Sequence, residues 1–148
     1  MPELLVAVDG SKNSQKIVTF SIELAKKLSA KILLIYVSTV PDLIGEYVEI
    51  GGSNPSPGAA QYVARAEKVA SQLSEEIENA GVPHEVLLKS GEPAQTIVNV
   101  AAERKVDMII VGLRRLQGIE KIRSLGSVSR RVIETSPCPV VTVTGVDY

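Results

Sequence analysis

Four short apolar runs constrain the fold more than any other feature of the chain. Leu4 to Val8, Ile32 to Val37, Met108 to Val111 and Val140 to Val143 are continuous rather than alternating. That pattern belongs to strands covered on both faces, and so to a parallel sheet. Helical spacing fills the intervals. Ile17, Ile22, Ala25 and Leu28 form one apolar stripe, and Val63, Ala66, Ala70, Leu73 and Ile77 form a second. A third helix starts at Glu92-Pro93, where proline suits a first turn, and turns Ile97, Val98 and Ala101 inward; a fourth follows Ser127. With His84 to Leu88 as a further strand, the order is β-α-β-α-β-α-β-α-β. Right-handed crossovers arrange that order as an α/β doubly wound sheet. At 148 residues and 45% hydrophobic content, with no break in composition and no internal repeat, a single domain over residues 1–148 is expected.

Composition narrows the functional classes. A formal net charge of −1 and 3% aromatic residues argue against nucleic-acid binding, and no apolar run has the length of a membrane span. The single cysteine, Cys138, excludes an intrachain disulfide, and no signal segment precedes the first strand, so a cytoplasmic protein is expected. One histidine and one cysteine leave a transition-metal site without ligands, and neither residue is marked as catalytic. His84 reads as a surface or interface residue, and Cys138 as a small buried one beside a strand start.

Positive charge gathers on one segment. Between Gly112 and Arg131 stand Arg114, Arg115, Lys121, Arg123, Arg130 and Arg131 against the single acid Glu120. Gly112 follows the Met108 run, and Gly126-Ser127 opens a helix. A glycine at a strand end allows close approach to the backbone, and a helix start offers free N–H groups, so a phosphate site is expected here. Solvation of a loop and a helix face is the alternative for any single arginine. Neither the Walker loop nor the dinucleotide-binding glycine pattern is present. Asp9, after the first strand, either accepts hydrogen bonds from a ribose or base, or serves the Asp-Gly-Ser turn into the next helix. The turn-rich stretch 38–60 leaves the same end of the sheet, and is either a loop over the ligand or a connector.

Asp9-Gly10-Ser11, Val37, Gly91-Glu92-Pro93-Ala94, Val111-Gly112, Gly126-Ser127-Val128-Ser129 and Ser136-Pro137-Cys138-Pro139-Val140 together resemble the universal stress protein family, over essentially the whole chain. The resemblance implies a Rossmann-like five-stranded parallel sheet in the order 3-2-1-4-5 and a homodimer formed through Val140, Val141, Thr142 and Val143. It implies adenine and ribose near Ala7, Val8, Asp9, Val37 and Val111, and phosphates near Gly112, Gly126, Ser127 and Val128. The ATP-binding members carry Gly-x2-Gly-x9-Gly-Ser/Thr; here Arg115 stands at the second glycine and ten residues separate it from Gly126. Arg115 would then contact phosphate through its guanidinium. The implied function is a stress-response module that binds ATP or AMP, with Mg²⁺ only alongside the nucleotide. A nucleotide-independent interaction protein and a slow ATPase are the alternatives.

Overall fold

The computed structural model describes residues 1–38, 57–115 and 127–147, and of 57–62, 114–115, 127 and 145–147 the backbone alone. The elements are β1 (Glu3–Val8), α1 (Lys12–Leu28), β2 (Lys31–Ser38), α2 (Pro57–Asn79), β3 (His84–Ser90), α3 (Pro93–Arg104), β4 (Met108–Arg115), α4 (Ser127–Thr135) and β5 (Val140–Asp147). All five strands are parallel, in the order β3-β2-β1-β4-β5.

The apolar runs produce two cores, because successive strand residues point to opposite faces. Leu4, Val6, Val8, Ile32, Leu34, Ile110 and Val143 pack on one face with Ile17, Val18 and Ile22 of α1 and Leu73 and Ile77 of α2. Leu5, Leu33, Ile35, Ile109 and Val111 pack on the other with Ala94, Ile97, Val100 and Ala101 of α3 and Val132 of α4. Truncating a fully buried residue such as Leu33 or Ile35 to alanine costs about 2–5 kcal/mol on that ground.

Two boundaries and one burial depart from the sequence reading. The helix α2 begins at Pro57, inside the stretch read as loop, because proline fits a first helical turn where no N–H is needed; the rest of 39–56 lies outside the described residues. The strand β4 runs through Gly112 to Arg115, with a register shift between Leu113 and Arg115, since β5 continues alongside it to Asp147. Leu28, placed on the inward stripe of α1, is exposed at the helix's last residue. Two helices end on residues no sequence rule marks: Ser29 and Lys105 each take the left-handed conformation at φ 52 and return their N–H to the preceding turn.

At the amino ends of the strands, charge rather than apolar contact ties the layers. Arg104 of α3 donates two bonds to Glu85 of β3, at 2.7 and 3.2 Å, and Lys31 of β2 reaches the same carboxylate at 3.3 Å. Glu3 of β1 lies 3.9 Å from Arg104. Hydrogen bonding from Arg104 is the chief reason that the Glu85 carboxyl is lowered from 4.5 to about 2. Since the folded value lies below the unfolded one, the contribution is complete above pH 4.5 and is lost as pH falls from there through about 2. The group is partly exposed, so water screens it to about 1 kcal/mol or less. In urea unfolding at a series of pH values, wild type is expected to exceed Glu85→Gln in stability at pH 7, the gap closing between pH 4.5 and about 2; a constant gap would contradict the assignment.

Candidate functional site

The sheet opens at its topological switch point. Pairing of β1 with β4 stops at Val6–Ile110, whereas β1–β2 pairing runs to Val8–Tyr36 and β4–β5 pairing continues to Arg115–Asp147. Beyond Val6 and Ile110 the two central strands therefore bound a gap at their carboxyl ends, the place where open α/β sheets take ligands. On the α3–α4 side, Ala7, Val37, Val111 and Val128 belong to one apolar cluster. Val111 is buried, and the other three are partly buried. Val8 points the other way, into the α1–α2 core.

The turn from β1 to α1 is built by short hydrogen-bonding side chains. Gly10 sits at φ +81, a conformation that L side chains rarely adopt, and the chain bends there. Asp9 Oδ1 accepts from Ser11 N–H at 2.9 Å and from the Ser14 hydroxyl at 3.2 Å, while Ser14 Oγ accepts from the N–H groups of Asp9 and Gly10 at 3.2 and 3.1 Å. Asp9 is exposed, and among the described residues only its Oδ1 is engaged. It thus performs the turn role through one oxygen, at the carboxyl end of β1.

Packing of α1 gives Gly112 a reason to be glycine. A Cβ there would overlap Asn13 Nδ2 and come within 2.6 Å of Ile17 Cδ1. The missing side chain makes room for the first turn of α1, so on that side it is helix packing that approaches the backbone. The carbonyl of Gly112 accepts from the Ser129 hydroxyl at 2.8 Å, which fastens the first turn of α4 to β4. Both helices that begin at the switch point are thereby indexed to one residue.

The start of α3 is closed to external anions, because Glu92 caps it. Its carboxylate accepts from Ala94 N–H at 3.2 Å and Gln95 N–H at 2.7 Å. The N-cap of α1, Ser11, makes no such side-chain bond. Among the described residues, no three His, Cys, Asp or Glu side chains gather as a metal site, and no helix is long and apolar enough to cross a membrane.

The family model for the universal stress protein family matches residues 1–144. The chain belongs to that family. It is 33% identical to universal stress protein YxiE of Bacillus subtilis over 153 residues, covering 95% of this chain and 97% of the relative. A universal stress protein from Archaeoglobus fulgidus in complex with dAMP superposes with a TM-score of 0.69 at 22% identity, covering 96% of each chain. A family member from Arabidopsis thaliana with AMP bound gives 0.67 at 19% identity, covering 99% of this chain and 93% of that one. At these identities, the structural likeness establishes the universal stress protein fold.

Of the residues expected around adenine, Ala7, Val37 and Val111 share a face, Asp9 stands at the turn after β1, and Val8 points into the α1–α2 core. Of the expected phosphate residues, Gly112 and Val128 are placed, Ser127 and Arg115 are described by backbone alone, and Gly126 lies outside the described residues with Lys121 and Arg123. Arg130 and Arg131 are exposed on α4, the former 4.0 Å from Glu134. His84 holds α2 to β3: its Nδ1–H donates to the Val82 carbonyl at 3.1 Å, and its Nε2 shares a hydrogen bond with Ser74 Oγ at 3.0 Å. Cys138 packs against the α3–α4 core.

Sequence reasoning missed Asn13, Ser14 and Ser129. A polar residue four positions before Ile17, on the helix's apolar stripe, was the available signal for Asn13. Gly112→Ala is expected to destabilise the fold by about 1–3 kcal/mol through overpacking against Asn13 and Ile17. Chemical denaturation measures this, and unchanged stability would mean that α1 does not seat on Gly112.

Proposed function

We propose that this universal stress protein is an adenine-nucleotide-binding module of the stress response, without a dedicated catalytic apparatus. The observation that carries the reading is the gap between β1 and β4, with Ala7, Val37 and Val111 on one apolar face and the Asp9 carboxylate at its mouth. An apolar surface with few polar groups beside it suits a purine and its sugar. The AMP and dAMP bound by the two structurally similar proteins support the same ligand class.

In this reading the base lies against Ala7, Val37 and Val111, and Asp9 takes a ribose hydroxyl with its second oxygen. The phosphates reach Gly112, Gly126 and Ser127 at the start of α4, with the Arg115 guanidinium replacing the glycine backbone of the usual loop. Any Mg²⁺ arrives on the nucleotide's phosphates, and the protein works in the cytoplasm. Asp9→Asn tests the sugar contact, because the amide keeps an oxygen for Ser11 and Ser14 while removing the charge. Calorimetric titration with AMP is expected to show binding weakened by about 1–2 kcal/mol with the fold intact. Unchanged affinity in the folded variant would confine Asp9 to the turn.

A homodimer through β5 completes the proposal. The strand lies at the sheet edge, and Ile109 N–H donates to the Pro139 carbonyl. Alternation along a parallel ladder then turns the backbone of residues 139, 141 and 143 toward β4 and that of Val140, Thr142 and Thr144 outward. The side chains of Thr142 and Thr144 are exposed, and those of Val141 and Val143 pack toward α1. An unpaired outer edge of this kind is a template for a second strand. Thr142→Pro removes an outward N–H without touching the β4 ladder, and light scattering is expected to show a folded monomer. A dimer that persists would place the interface elsewhere.

A further inference from the structure

The first turn of α1 carries a polar group that the fold leaves unsatisfied. Asn13 is 5% exposed, and its Oδ1 is buried with no hydrogen-bond partner among the described residues. Leaving such an acceptor unpaired costs free energy, so native folds rarely keep one without a use. Its place is specific. The carboxamide lies against Gly112, at the stretch where β4 has parted from β1, and the same turn holds Asp9 through Ser14. Ser11 puts no side-chain cap on this helix, and its first turn contains no acidic residue to compete for the space.

The available atoms select the chemistry of the missing partner. Among the described residues, an unpaired amide oxygen in the same turn as a carboxylate with one unengaged oxygen makes two acceptors, which suits hydroxyl donors and repels a bare phosphate. We propose that Asn13 is a further ligand residue of the nucleotide site, its Oδ1 accepting a hydrogen bond from one hydroxyl of the ribose while Asp9 takes the other. The inference rests on the adenine-nucleotide reading above. Because the oxygen is shut off from solvent, the side chain turns toward the gap on binding, and pairing the orphaned acceptor contributes to affinity.

Asn13→Leu replaces the carboxamide with hydrocarbon of nearly the same shape, and Asn13→Ala provides a smaller alternative should leucine not fit beside Gly112. Titrations with AMP, 2′-deoxy-AMP and 3′-deoxy-AMP are compared with wild type, together with melting in the absence of nucleotide. Expected is a loss of roughly tenfold for AMP, and AMP no longer distinguished from one of the two deoxy compounds. The nucleotide-free melting temperature should stay level or rise in the leucine variant, since an unpaired acceptor has been removed. If both variants bind all three ligands as wild type does, or weaken all three equally with discrimination intact, the proposal is overturned while the nucleotide reading stands. If wild type itself binds none of the three, the nucleotide reading fails, and this assignment fails with it.

Discussion

Everything at the candidate site depends on β1 being the central strand of a sheet buried on both faces. Leu4, Leu5 and Val6 are fully enclosed, contributing alternately to the α1–α2 core and the α3–α4 core. Such a strand has no freedom of register, because a shift by one residue would move every side chain into the opposite core. Its carboxyl end is therefore fixed relative to β2, and the turn at Asp9 emerges at a set height beside Val37. The same burial forces the connections outward: helices cover both faces, so the ends of the strands are where a ligand can reach the backbone.

The gap between β1 and β4 follows from the way the chain reverses direction across the sheet. The crossover from β1 leads through α1 to β2 on one side, and the crossover from β3 leads through α3 to β4 on the other. Among the described residues, strand pairing between β1 and β4 ends at Val6 and Ile110. Gly112 has a structural task at this strand end. It admits Asn13 and Ile17 on the α1 side and receives the Ser129 hydroxyl at its carbonyl. Both helix starts are thus packed on, or hydrogen-bonded to, this one residue.

The architecture was legible in the sequence because its signals are collective. Each apolar run became a strand, and the stripes at Ile17 and Val63 became the buried faces of α1 and α2. The strand order came from the family resemblance, since apolar runs do not say which neighbours pair. Single-residue signals were weaker. Gly112 and Pro57 read as breaks, yet a strand tolerates glycine where a neighbouring side chain fills its space, and a helix accepts proline in its first turn. Asn13 carried no motif, because its burial depends on β4, ninety-odd residues away in the chain. The Asp9 turn was foreseen as one of two roles, and one oxygen of that carboxylate fulfils it.

The central claim is that the switch point receives an adenine nucleotide, with its base on the α3–α4 side. Methyl NMR of the wild-type protein titrated with AMP tests it most directly. The account predicts that the methyl signals of Ala7, Val37, Val111 and Val128 shift together with a single saturation curve, while those of Val6, Leu34 and Val18 in the opposite core stay in place. Shifts confined to the α1–α2 core, or none at AMP concentrations in the millimolar range, would contradict it.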